Sequence, residues 1–335
     1  MQQSIDYSIV ICTYNPDERL LTRCLQAVSN LNRQGLSTET ILVDNNSVIP
    51  VKSLPYIQVF LQQVPNLQII TEVKQGVQHA RIAAIEKATG NHIVYIDYDN
   101  EPESDYLQQL HILNTAYPQV AAWGPGHVTV DFIDGVPQHL EGYARNAFQE
   151  RHGQAVQYAS KQEWQPCYPF GTGLCTKANI LKEYNRLAAQ DRFTLSGRSG
   201  TKLSSGEDTQ MVLLCISMGY AAGVAPALKL RHIIPGSRVN MAYLRRLAYG
   251  TAVCYETCLC QVFPQRRQVL QQKLITPSKF SRQAIKKFIR MRFSTNPFAV
   301  FSFIGFLAMH AGIYTALGKP LPWPVKKLVG YLKLQ

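Results

Sequence analysis

Residues 92–100 read HIVYIDYDN, a short apolar, β-branched run that ends in Asp97-Tyr98-Asp99. Apolar character on successive residues, bounded by turn-forming ones, marks a strand buried on both faces, here expected over His92 to Asp97. Working outward, two more runs have this character, Ser8 to Thr13 (SIVICT) and Thr40 to Asp44 (TILVD), and Leu67 to Thr71 (LQIIT) is a further strand candidate. Helical patterns separate them. Asn15-Pro16-Asp17-Glu18 reads as a helix start, with Asn15 as N-cap, Pro16 first and Glu18 closing a capping box, and the helix is expected to reach about Asn32. A second helix is expected after Gly76, through Arg81, with Gly90 as a left-handed C-cap, and a third over Glu103 to Tyr117. Strands alternating with helices predict a parallel sheet built from βαβ units.

The character changes after residue 122. From Trp123 to Phe170 the chain is rich in Gly, Pro, His and aromatic residues and offers only short strand candidates, a pattern suited to acceptor-binding loops and a mixed sheet edge. Helical periodicity returns at Lys177 to Gln190 and Glu207 to Met218. No internal repeat is present.

The net charge of +12 would suit a nucleic-acid binder, but its distribution points elsewhere. No acidic residue follows Glu256, and the last 79 residues carry thirteen Lys or Arg, which leaves 21 basic against 22 acidic residues before them. The body is neutral and the tail basic. That tail also contains the least polar run, Pro297 to Gly318, with Lys286, Lys287, Arg290 and Arg292 before it and Lys319, Lys326 and Lys327 after. A basic segment around an apolar run fits anionic lipid headgroups, so residues 261–335 are expected to be helical and membrane-associated. A span, an interfacial helix and a buried helix are all compatible with the run, and positive charge on both sides sets no orientation. The opening MQQSIDYSIVIC has no basic region before a long apolar core, so no cleaved leader is expected and the active part should face the cytosol. Eight cysteines lie scattered in apolar segments without paired CxxC sets, which suits reduced, buried thiols.

In an open α/β sheet ligands bind beyond the carboxyl ends of the strands. Thr13, Tyr14 and Asn15, then Asp44, then Asp97 and Asp99 occupy those ends. If strand geometry continues past residue 97, the carboxylates of Asp97 and Asp99 point to one side and suit a hard cation that also takes phosphate oxygens. A polar turn is the alternative, and the apolar run before it favours the site.

Ser8 to Asn15 (SIVICTYN), Ile41 to Ser47 (ILVDNNS), Gln75 to Arg81 (QGVQHAR), Ile96 to Asn100 (IDYDN) and Gly206 to Asp208 (GED) follow one another as in family 2 glycosyltransferases, which the chain resembles over about residues 7–250. The resemblance implies a GT-A fold, a Rossmann-like mixed α/β sheet with flanking helices. It also implies roles. Thr13, Tyr14 and Asn15 would line the nucleotide, Asp44 would accept a hydrogen bond from a uracil-type ring, and Arg81 would approach base or phosphates. Asp97 would sit near the ribose and Asp99 would bind the metal, Mg²⁺ or Mn²⁺. Tyr98 stands where relatives often carry an acid, a departure expected to alter affinity only. Asp208 would be the catalytic base and Glu207 its neighbour orienting the acceptor. Gly171 and Gly173, in Phe170-Gly171-Thr172-Gly173, would let backbone approach donor and acceptor. His232 would be a further metal ligand, and Arg238 could meet the diphosphate. The plainer readings are an Asx turn at Asp44, a solvated helix residue at Arg81, a helix cap at Glu207-Asp208, an ordinary turn at 170–173 and a structural imidazole at His232.

These readings divide the chain into a catalytic domain, 1–260, with a nucleotide-binding half, 1–100, and an acceptor-binding half, 101–260, followed by the tail, 261–335. The expected activity is inverting transfer from a nucleoside-diphosphate sugar, UDP by family habit, to a glycan or lipid-linked hydroxyl in cell-surface or exopolysaccharide synthesis, beside the cytoplasmic face of the membrane. No nucleic-acid partner is expected. The alternatives are a non-catalytic membrane-surface or nucleic-acid-binding protein and a nucleotidyltransferase, although CTYNPDE is not the Gly-rich phosphate loop the latter would carry.

Overall fold

β1 (Tyr7–Thr13), α1 (Glu18–Ser29), β2 (Thr38–Asp44), α2 (Pro55–Gln63), β3 (Leu67–Thr71), α3 (Val77–Lys87) and β4 (His92–Tyr95) form the alternating first part of the chain in the computed structural model, which describes residues 4–198, 203–296 and 298–334. Met1 to Gln3 of the opening segment and Pro297 of the apolar run lie outside the described residues. There follow β5 (Asn100–Pro102), α4 (Tyr106–Ala116), β6 (Val120–Phe132), α5 (Gln138–Ala147), β7 (Arg151–His152), β8 (Gln157–Ala159), β9 (Cys175–Lys177), α6 (Ala178–Ala189), α7 (Glu207–Ser217) and β10 (Ala221–Ile234). The C-terminal helices are α8 (Met241–Val262), α9 (Arg266–Lys273), α10 (Pro277–Arg292), α11 (Ala299–Ala316) and α12 (Trp323–Tyr331).

All ten strands among the described residues join one mixed sheet in the order β3-β2-β1-β4-β9-β6-β10-β5, with β7 on β6 and β8 on β10. The β3-β2-β1-β4 half is parallel, β9 runs antiparallel to both β4 and β6, and β6 pairs parallel with β10. Ile9, Ile11 and Val43 are fully buried, as expected for a sheet covered on both faces.

Several local expectations are corrected. Asp17, not Asn15, caps α1, accepting from the Arg19 N–H at 3.0 Å, and Glu18 is already helical. Asn15 instead takes a left-handed conformation (φ +44°), and the helix stops at Ser29. Gly90 is not a left-handed cap: α3 ends at Lys87, and a Cβ on Gly90 would lie 2.6 Å from the Ser8 backbone nitrogen, so close packing explains this glycine. The stretch 123–170 holds most of a 13-residue strand, β6. Gly124-Pro125-Gly126 disguised it. The β6–β10 register shifts after the Ala225–Pro125 pair, and a Gly126 Cβ would sit 2.5 Å from the Ala225 carbonyl carbon.

The tail shares its core with the rest of the chain. Val130, Leu140, Phe148, Ile234 and Leu244 pack with Phe280, Ile304, Leu307, Tyr314 and Val325 in one apolar cluster. α11 is the single described helix long and apolar enough to cross a membrane, yet 56% of it is buried inside the chain. Gly312 lets it lie on α8, since a Cβ there would come 2.7 Å from the Val253 carbonyl oxygen. All eight cysteines are free, as expected.

Candidate active site

A cavity of about 790 Å³ opens at the carboxyl ends of β1 and β4 and extends to α5, α8 and α11. Its wall contains Thr13, Tyr14, Arg81, Asp97, Asp99, Gly171, Glu207, Asp208, His232 and Arg238, so most residues singled out from the sequence converge on one space.

The strand geometry that was to align the two aspartates does not continue. β4 ends at Tyr95, and the Asn100 N–H donates to the Asp97 carbonyl at 2.8 Å in a turn. That turn still delivers both carboxylates to the cavity. Burial raises the pKa of Asp97, opposed by Arg81, whose Nη2 stands 3.7 Å away. At Asp99 burial acts the same way but is outweighed: the carboxyl is held well below its usual range by Arg238, at 2.5 Å, and by His232. Arg238 also donates to the Tyr98 hydroxyl at 2.6 Å, so Tyr98 and Asp99 share one guanidinium.

His232, near the end of β10, donates from Nδ1 to the Phe148 carbonyl at 2.9 Å, which turns Nε2 toward Asp99 Oδ1, 3.8 Å away. Fixing one ring nitrogen on a carbonyl is how proteins aim the other at a metal. Among the described residues no group of three His, Cys, Asp or Glu is placed to hold a metal ion. Asp97 and Asp99 are the candidate carboxylate donors for a hard divalent cation that fills most of its positions with water and phosphate oxygens, with Asp99 already engaged by Arg238 and His232 3.8 Å from it.

The base candidate is held from two sides. Asp208 Oδ1 accepts from the Thr209 N–H at 2.7 Å and Oδ2 from the Gly171 N–H at 2.9 Å, which ties the α7 N-terminus to the 170–173 loop. Gly171 has no room for a side chain: a Cβ would lie 3.0 Å from both Arg81 Nη2 and Asp208 Oδ2. Gly206, with φ +134°, brings α7 against α8, where the Cys258 thiol donates to its carbonyl at 3.3 Å.

Arg81 is not a solvated helix residue. It is 4% exposed, lies over the Tyr95 ring at 4.9 Å and pairs with Glu207 at 3.1 Å. Burial raises the Glu207 pKa to about 7 against the pull of Arg81, with Asp208 adding to the rise, and Glu207 Oε2 is buried without a partner. Glu207 thus braces Arg81 directly.

Three residues lie off the cavity wall. Asp44 accepts from the Ser47 and Val51 N–H groups, each at 2.9 Å, so both oxygens hold the loop after β2, the Asx arrangement, and its neighbour Asn45 lines the cavity instead. Asn15 likewise holds that loop, accepting from the Val48 N–H at 2.8 Å. Gly173, at φ +69°, sits behind the wall, where a Cβ would meet the Tyr106 hydroxyl at 2.6 Å. The sequence reading missed Asn45, Arg198, and the aromatic residues Tyr143, Trp164, Phe170, Tyr243 and Tyr255. The aromatic richness of 123–170 signalled three of these; nothing marked the α8 residues.

Residues 8–157 match the profile of glycosyl transferase family 2. Glycosyltransferase AglE of Haloferax volcanii is 30% identical over 215 residues, covering 64% of this chain and 62% of that protein. Inactive polypeptide N-acetylgalactosaminyltransferase-like protein 5 of Mus musculus is 29% identical over 106 residues, 31% of this chain and 24% of that protein. The chain therefore spans less than two thirds of the length of these relatives. Among solved structures, the mannosyltransferase PcManGT from Pyrobaculum calidifontis, in complex with GDP-Man and Mn²⁺, superposes with a TM-score of 0.50 at 17% identity, covering 99% of this chain and 76% of that one, a likeness of fold.

Proposed function

We propose, for a chain whose residues 8–157 belong to glycosyl transferase family 2 and whose mixed sheet has the GT-A arrangement, that it moves a sugar from a nucleoside-diphosphate donor to a hydroxyl acceptor with inversion. The observation that carries this reading is the meeting of Asp208, held by two backbone N–H groups, with the Arg81, Asp97 and Asp99 cluster in one cavity at the strand ends.

Thr13 and Tyr14 bind the nucleotide, with Asn45 shaping the wall beside them while its amide holds the Glu72 and Lys74 carbonyls and the Gly76 N–H; the buried Thr13 hydroxyl has no partner within the protein and is free to take one from the ligand. Asp97, Asp99 and His232 would hold Mg²⁺ or Mn²⁺, which neutralises charge on the departing diphosphate. Arg198 and Arg238 add positive charge beside that site. Asp208 removes the acceptor proton as the oxygen attacks the anomeric carbon, and one displacement inverts that centre. A hydrolase would need two carboxylates facing each other across the scissile bond. Here Glu207 is bound to Arg81, Asp97 faces Arg81 and Asp99 is paired with Arg238, which leaves Asp208 for the role.

UDP is the first donor to try, and GDP-mannose, the ligand of the Pyrobaculum relative, belongs beside it. The pathway proposed is cell-surface, exopolysaccharide or lipid-linked glycan synthesis at the cytoplasmic face of the membrane. A surface on α10 and α12 supports the membrane contact. Ile285, Ile289 and Phe293 recur every fourth residue and are exposed, Phe293 by 85%, while Phe288 packs edge-on against Tyr331 at the end of α12, whose first residue, Trp323, is also exposed. Lys286, Lys287, Arg290, Lys326 and Lys327 flank them. Nucleotide release from a panel of nucleotide sugars, with and without Mn²⁺, tests the transferase reading. Metal-independent turnover, or none with any donor, overturns it.

A further inference from the structure

The charged and apolar parts of the cavity are segregated. Arg81, Asp97, Asp99, Arg198, Glu207, Asp208 and Arg238 all come from strand ends and the loops and helix starts beside them. No side chain contributed by α5, α8 or α11 carries a charge. Tyr143, Leu247, Ala248, Ala252, Phe301 and Gly305 form an apolar arm, with the Tyr143 and Phe301 rings stacked at 3.7 Å. Both α11 residues in this wall are apolar, and α11 belongs to the segment whose sequence is least polar.

We infer that this arm is the acceptor subsite and that the acceptor is an amphiphile, its hydroxyl-bearing head at Asp208 and its apolar chain along α5, α8 and α11. The inference rests on the transferase reading and names its acceptor class. A glycan acceptor would bring many hydroxyl groups, each costly to bury unpaired, to the six residues of the arm, which offer only the Tyr143 hydroxyl, whereas Asn146, Tyr243, Thr251 and Tyr255 of α5 and α8 line the cavity as well. An alkyl or polyprenyl chain asks for no such partners and gains from leaving water. Gly305 keeps the arm open, since a Cβ there would have nothing within 4 Å.

Methyl and octyl β-glucoside, the latter below its micelle threshold, are titrated calorimetrically into the wild-type protein and into Gly305→Phe. A second variant, Ala248→Leu, narrows the arm from α8. The wild type is expected to bind octyl glucoside at least tenfold more tightly, a ratio that needs burial of only about two of the added methylenes at roughly fourfold each. In either variant the ratio should fall to threefold or less. An unchanged ratio in both variants places the chain elsewhere, as on the exposed α10–α12 surface, and overturns the proposal; equal binding of both glucosides overturns it in favour of a glycan acceptor. Failure of the transferase reading shows separately, as absence of nucleotide release from every donor, and the ratio still decides the arm.

Discussion

Replacing Arg81 by Met should destabilise the protein in a way that depends on Glu207. The two side chains are 4% and 7% exposed and meet at 3.1 Å, so removing the guanidinium leaves a carboxyl buried beside Asp97 and Asp208. Breaking a buried pair by deleting one partner costs about 3–5 kcal/mol. Glu207 can limit that cost by taking a proton. Its folded pKa, about 7, already lies above the unfolded value near 4.5, so its stabilising contribution is greatest at low pH and is lost as pH rises through the folded value. Without Arg81 that value rises further. The gap between Arg81→Met and wild type should therefore widen above pH 7, by up to about 1.4 kcal/mol per pH unit. Glu207→Gln removes the titration, and Arg81→Met/Glu207→Gln should cost less than the two single changes added together, with a coupling of about 1.5–3 kcal/mol. Urea denaturation of the four proteins at pH 6 and 8 supplies each value. Additivity within about 0.5 kcal/mol, or a gap that does not grow with pH, would refute the reasoning.

Burial lowers the His92 pKa from 6.5 to about 4. Above pH 6.5 the ring is neutral folded or unfolded; as pH falls toward 4 only the unfolded chain binds the proton, so stability drops by at most about 3 kcal/mol, and His92→Gln should flatten that part of the urea-derived stability profile. Gly206→Ala meets a φ of +134° and a Cys258 sulfur 2.7 Å from the new Cβ, and should lose about 2–4 kcal/mol, with Gly206→Ala/Cys258→Ala recovering part of it in thermal melts. Chelation should abolish nucleotide release, and Mn²⁺ should restore it in wild type but less in Asp99→Asn, read as the Mn²⁺ concentration giving half-maximal rate. Sedimentation with anionic vesicles should weaken in Phe293→Ser/Trp323→Ser and in high salt, and zwitterionic vesicles should bind less.

The parallel half of the sheet was legible because β1, β4 and the end of β2 are near-continuous apolar runs and β3 is β-branched between turn residues, and four strand positions emerged within a residue or two. β6 was hidden, since Gly and Pro inside a strand carry the signal of a turn and only close tertiary neighbours explain the two glycines, Pro169 against Gly124 and the β10 backbone against Gly126. The site followed the same division. Thr13 could be placed as a strand end, and Asp97 and Asp99 were singled out by the apolar run before them although a turn rather than strand alternation brings them to the cavity, but the cation facing Asp99 is Arg238, brought from beyond β10 by tertiary packing. Asp44 shows the opposite failure. It ends a strand and matches the family pattern, yet two local N–H groups claim its oxygens. The tail read as an appendage because charge and hydropathy record composition; that α11 completes the cavity wall depends on its contact with α8, across some fifty residues of sequence.

In the proposed mechanism Asp208 is the base. Steady-state nucleotide release by Asp208→Asn, with the best donor and acceptor from the panel, tests it most directly when donor affinity is measured alongside by calorimetry. Loss of a positioned general base predicts a fall in kcat of about 10²–10⁴-fold, with donor affinity within about threefold of wild type, because in the proposed mechanism Asp208 acts on the acceptor hydroxyl and not on the donor. Full turnover in Asp208→Asn would contradict the claim.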